Sequence, residues 1–208
     1  MIQRATMAAA VAAAALAGAL VAHFVARAPT RPALERATLF DSARPVPDVR
    51  LVDHLGRDFG RERLRGHWTL MFFGFTNCPD VCPLTLASLA EARRLLADLP
   101  RDQQPAVDFV SVDPRRDTAA VLSLYVGHFD PEFIGVTGGA EDIESFTRAL
   151  GVAVIAGAPG EDGSYTVDHT ASVFLVNPQA ELVAIFGAPH EAAVIAEDFR
   201  RIVAAARG

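Results

Sequence analysis

The chain has no lysine, a single tryptophan and only two cysteines among its 208 residues. All 19 basic side chains are arginine, so chemistry that needs a primary side-chain amine is excluded. Together with the abundant alanine, this points to the codon usage of a GC-rich genome. Two cysteines cannot build a disulfide framework, and a chain of this length can bury a core without one. Basic clusters are missing as well. Past residue 27, 17 arginines face 25 acidic residues, a formal charge of −8, and an acidic domain without a basic stripe is a poor binder of nucleic acid.

Charge is also missing from one early stretch. From Ala5 to Ala26 the chain reads ATMAAAVAAAALAGALVAHFVA, uncharged, with Arg4 before it and Arg27, Arg31 and Arg36 after it. About 20 apolar residues span a bilayer. A cleaved export signal has a shorter apolar core and a small-x-small site, for which Ala17-Gly18-Ala19 qualifies. Length favours the anchor, and either reading carries the remainder of the chain across a membrane. No cysteine comes directly after the run, which excludes a lipid-modified cysteine there. The expected organisation is an anchor or signal segment over residues 1–27, a Pro- and Arg-punctuated tether over 28–44, and one domain over 45–208.

Within that domain, VRLV and DHLGRDFG (49–60) read as an opening hairpin, and HWTLMFFGF (67–75) as a buried strand. LTLASLAEARRLLAD (84–98) repeats leucine on one helical face. AVDFVSVDP (106–114) reads as a second buried strand, before a helix opening at Asp117, whose carboxylate is placed to cap it. FIGVT (133–137) is strand-like, and AEDIESFTRAL is a helix stopped by Gly151. The last third changes rhythm: VAVIA, YTVDHT, SVFLV and LVAIFG are short strands, NPQAE is a hairpin turn, and HEAAVIAEDFRRIVAAA closes the chain as a helix. The expected class is α/β. A strand, cysteines at a helix start, a crossover, a hairpin and a closing helix make the thioredoxin-like order, here with an N-terminal hairpin extension.

Both cysteines fall in one place, GFTNCPDVCPLTL, at Cys78 and Cys82. Residues four apart share one face of a helical turn, so two sulfurs can address a common point. Pro83 suits the first turn of a helix and not its interior, which puts the cysteines at the helix entrance. Unsatisfied amides there are expected to lower the thiol pKa values. A structural disulfide across this spacing requires local distortion and closes too small a loop to stabilise much. Redox exchange between Cys78 and Cys82 and capture of a soft metal both stay open. Two thiolates leave room for one further ligand in a trigonal Cu(I) site, or two in a tetrahedral zinc site. Of the six histidines, His23, His54, His67, His128 and His190 read as surface or packed residues. His169 precedes the SVFLV strand, and in a thioredoxin-like order that loop faces the cysteine-bearing helix start. No proline stands beside it to receive a substrate backbone, and Phe75 and Pro79 exclude the peroxidase arrangement of a threonine three residues before the cysteine.

Three blocks, FFGFTNCPDVCPLTLASL, FVSVDPRRDTAAVLSLYVGHF and TVDHTASVFLVNP, together resemble the Sco/SenC family of membrane-tethered copper-binding proteins, over about residues 45–205. The resemblance implies a copper site, for Cu(I) or Cu(II), formed by Cys78, Cys82 and His169. It also implies a role in assembling the binuclear copper centre of cytochrome c oxidase subunit II, with other copper chaperones or thioredoxin-like reductases as further partners. The domain would then sit at the cytoplasmic membrane and face the periplasm, as a metallochaperone and not an enzyme. Asn77 stands where a family member often has histidine. The alternative function is a thiol-disulfide oxidoreductase that reduces the oxidase subunit's cysteines through a redox-active Cys78–Cys82 disulfide; a redox or copper sensor is a third. Asp80, between the two cysteines, and Asp168, beside His169, either orient a ligand or meet a partner, or else Asp80 caps the helix and Asp168 fixes the loop. The run Asp113–Asp117 could line the rim of the site, but strand termination and helix capping are enough to explain it.

Overall fold

The computed structural model describes residues 16–19, 32–158, 160 and 164–207. Apart from the helical residues 16–19, the apolar run expected to be an anchor or signal lies outside them, and among the described residues no helix is long and apolar enough to cross a membrane. The chain divides into two compact units, Leu34–Arg201 and a smaller one of Met1–Ala33 with Ile202–Gly208. The larger unit holds the sheet and the cysteine loop.

Among the described residues, eight strands build its frame: β1 (Ala37–Pro45), β2 (Leu51–Asp53), β3 (Asp58–Phe59), β4 (Thr69–Gly74), β5 (Ala106–Ser111), β6 (Ile134–Gly138), β9 (Val173–Val176) and β10 (Glu181–Phe186). They form one sheet in the order β1-β10-β9-β4-β5-β6-β2-β3. A separate two-stranded ribbon joins β7 (Val154–Ala156) to β8 (Val167–His169), with Val154 opposite His169. The helices are α1 (Arg61–Leu64), α2 (Val81–Leu95), α3 (Ala119–Phe129), α4 (Ala140–Leu150) and α5 (Ala192–Ala205).

The apolar run of β4 is buried at every residue because the strand is central and covered on both faces. It pairs in parallel with β5, in register from Thr69–Ala106 to Gly74–Ser111, and antiparallel with β9. Successive side chains of a strand point to opposite faces. On one face Phe72 meets Phe109, which meets Tyr125 of α3; on the other Phe73 meets Phe146 of α4 and Phe174 of β9. Helices therefore lie on both sides, and the thioredoxin-like α/β expectation holds. The opening hairpin is β2–β3, and α4 stops at Gly151, whose φ of +76° is left-handed.

Two local readings need correction. The second half of the stretch expected to be a tether is β1, which pairs antiparallel with β10 across a bulge between Leu39 and Arg44. Its entry is held by Asp198 of α5, which accepts bonds from the backbone N–H groups of Glu35, Arg36 and Ala37. And α3 is capped not by Asp117 but by Thr118, whose hydroxyl accepts from the Val121 N–H; Asp117 is turned inward.

Candidate metal centre

Three elements bring the donors together. Cys78 lies on the loop between β4 and α2, half-buried; Cys82 sits in the first turn of α2, fully buried; His169 ends β8. Pro83 occupies that first turn, where its missing N–H costs nothing. The Cys82 N–H points at the Cys78 sulfur at 3.4 Å, and the Cys82 sulfur lies 3.5 Å from His169 Nε2. One donor atom from each of the three residues lies within 4.8 Å of the other two, and both thiols are free.

The imidazole is aimed by its other nitrogen. His169 Nδ1 lies 3.1 Å from the Thr170 carbonyl, which can only accept, so Nδ1 carries the proton and the Nε2 lone pair faces the sulfurs. The ring is wedged edge-to-face against Phe72 and Phe75, with centroids 6.1 and 6.0 Å away. This apolar packing bears on the thiols too. Burial pushes the Cys82 thiol well above its usual range, only partly opposed by a hydrogen bond to the Phe75 backbone. That is the reverse of the lowering expected at a helix start, because desolvation outweighs the helix-end amides for a sulfur without exposure. A metal cation placed among the three donors would compensate a thiolate there, as the helix dipole alone does not.

The other histidines go elsewhere. His54 Nδ1 accepts from the Gly135 N–H, His128 packs on Phe129, and His67 lies against the Arg65 carbonyl. His190 contacts the Thr85 hydroxyl and the Phe186 carbonyl, with burial holding its pKa below the usual range. His23 lies outside the described residues. Asp80 occupies the N-cap position of α2 but makes no side-chain capping bond, and both it and Asp168 are exposed beside the ligands. Asn77 is exposed too, its amide oxygen 3.3 Å from the Thr76 hydroxyl.

The run Asp113–Asp117 lies closer to the site than capping alone explains. Arg116 pairs with Asp113, donates to the Tyr165 carbonyl at 3.0 Å and stacks over the rings of Tyr165 and Phe75, at 3.7 and 5.6 Å. The Tyr165 hydroxyl donates to Asp113 at 2.7 Å. Asp117 reaches across to Thr76. Apart from the local Arg116–Asp113 pair, no periodicity announces these contacts, since their partners lie 41 to 52 residues away in the chain.

Two thiolates and one imidazole form a soft donor set that suits three-coordinate Cu(I). Among the described residues the group contains no fourth ligand of the kind a tetrahedral zinc site takes.

Known proteins agree with this chain in fold and in pattern. A mouse mitochondrial SCO2 homologue is 40% identical over 161 residues, 76% of this chain and 62% of the mouse protein. The match thus spans about three fifths of that relative's length. The crystal structure of Arabidopsis thaliana ScoI, solved with copper bound, superposes with a TM-score of 0.70 at 33% identity, covering 77% of this chain and 97% of that one. Bradyrhizobium japonicum ScoI, also copper-bound, gives 0.68 at 33% identity over 76% of this chain and 98% of its own. The SCO1/SenC family model matches residues 41–204, more than three quarters of the chain, and the chain belongs to that family.

Proposed function

We propose that this chain is a copper metallochaperone. It holds copper through Cys78, Cys82 and His169 and delivers it to the binuclear copper centre of cytochrome c oxidase subunit II. The observation that carries the reading is the convergence of two free thiols and an imidazole, each donor within 4.8 Å of the others, on a family member's fold. Residues 1–27 tether the protein to the cytoplasmic membrane, a short linker comes next, and the folded domain faces the periplasm. Copper is cargo here. Soft donors hold Cu(I) against water, and a half-buried Cys78 leaves one side open through which an acceptor thiolate can approach.

The competing reading, a reductase of the oxidase subunit's cysteines, uses the same two sulfurs but has no use for the imidazole. His169→Ala separates them. In the chaperone, two thiolates without the imidazole hold copper poorly and oxidase maturation fails, while disulfide exchange with a peptide continues near the wild-type rate, because exchange depends on the thiols and their access. Maturation that survives His169→Ala but fails in Cys78→Ser or Cys82→Ser would replace the chaperone by the reductase.

A further inference from the structure

The Asp117 carboxylate has no exposure to solvent. No cation pairs with it among the described residues, and it does not cap the helix it precedes, a task done by Thr118. It accepts three hydrogen bonds, from the Thr76 N–H at 3.0 Å, the Thr76 hydroxyl at 2.6 Å and the Ser111 hydroxyl at 2.6 Å. Burying a carboxyl group costs free energy that its hydrogen bonds must offset. What those donors have in common is their place. Ser111 ends β5, and Thr76 stands two residues before Cys78 on the loop that leaves β4.

Beyond Thr76, the loop is held by the packing of Phe75 and Cys78 against the core and by the Cys82 N–H that points at the Cys78 sulfur. The loop's own backbone bond runs from the Cys78 N–H to the Phe75 carbonyl at 3.2 Å, closing a turn with Thr76 at its outer corner. Beneath the turn, the Val112 N–H binds the Gly74 carbonyl at 2.8 Å and fixes the strand ends side by side. Gripping Thr76 at both its amide and its hydroxyl therefore orients the turn, and with it the direction in which the Cys78 side chain departs. Cys82 and His169 lie on a helix and a strand, whereas the backbone of Cys78 lies on the loop, its sulfur facing the Cys82 N–H at 3.4 Å.

We propose that Asp117 is a positioning residue of the metal centre, clamping Thr76 so that the Cys78 sulfur stands within reach of Cys82 and His169. The inference rests on the copper reading of the site. Groups that orient metal ligands without touching the metal typically contribute about 10–100-fold to affinity, and the clamp falls in that class.

The test uses the full chain, Cu(I) competition against a chromophoric chelator, and the sulfur-to-copper charge-transfer band of the Cu(II) form. Asp117→Ala is expected to weaken Cu(I) binding by about 10-fold or more and to shift the band. Asp117→Asn, which keeps an acceptor for the Thr76 N–H and can donate to a hydroxyl, restores most of both. Thr118→Ala removes the true cap of α3, lowers the melting temperature and leaves both copper readouts unchanged. An Asp117→Ala chain with wild-type affinity and spectrum overturns the proposal, whatever its melting temperature. Should Asp117→Ala fail to fold, Thr76→Ala is read in its place: it removes one clamp bond at a partly exposed position, so weakened binding with a shifted band supports the clamp and wild-type behaviour overturns it. A wild-type chain that takes up no copper is a different result, which removes the copper reading itself.

Discussion

Gly74 and Cys82 are packed so closely that a Cβ on Gly74 would stand 2.8 Å from the Cys82 sulfur and 2.7 Å from the edge of the Phe109 ring. The end of β4 is bare where the helix start crosses it, and the sulfur occupies the space a side chain would take. The glycine serves close approach here, since its φ is not in the left-handed range.

Gly74→Ala should therefore act on stability and on the site together. Overpacking of this kind costs about 1–3 kcal/mol, and relief requires the sulfur or the Phe109 ring to move. Denaturant unfolding should show the loss, and copper retention should fall with it. A substitution tolerated with unchanged stability and unchanged copper binding would contradict the packing described.

Asp108 gives the fold a pH dependence of its own. It lies in β5 with 3% exposure, and burial holds its carboxyl up at about 7, with the Arg63 charge pulling down and the Asp53 charge pushing up. The unfolded chain releases this proton near pH 4 and the folded chain only near 7. Between those values the folded state binds more protons, so this group's contribution to stability falls as pH rises and levels off above about 7. Asp108→Asn should remove that component of the slope and, at pH 8, exceed the wild type by more than about 1 kcal/mol. Parallel stability–pH curves for the two proteins would refute the assignment.

Asp198 supports the other end of the sheet. One carboxylate, 1% exposed, accepts from three successive backbone N–H groups at the entry to β1, at 2.8 to 2.9 Å. Asp198→Ala leaves these donors unpaired at a cost of about 1–3 kcal/mol each where they are buried. Hydrogen exchange of the amides of residues 37–39 should accelerate, while Cu(I) affinity stays at its wild-type value, because no metal-site contact runs through β1. Loss of copper binding in this variant would show that the sheet edge and the metal loop are coupled.

Much of this was legible in the residues. The buried strand before GFTNCPDVCPLTL, the helix after it, and the placing of His169 opposite Cys82 come from apolar periodicity and from the order of elements. The features that were not legible arise from tertiary context. Arg44-Pro45-Val46-Pro47 looks like a linker, yet its first two residues belong to β1, an edge strand where a proline's missing N–H does no harm. Asp117 and Thr118 are both good caps by composition, and only the arrival of Thr76, 41 residues away, decides which of them turns inward. The thiol of Cys82 defied the helix-dipole expectation for the same reason: sequence places it at a helix start but does not reveal how deeply that start is sunk into the sheet.

The separation of 87 positions between Cys82 and His169 also sets an order of events. A chain emerging from its amino end presents both thiols long before the imidazole exists, and His169 reaches them only when β8 has paired with β7 and the sheet behind it has closed. The three-donor centre is thus a product of finished folding. A metal bound by all three donors would stabilise only the completed domain, so a copy that ends before His169 would gain nothing from it.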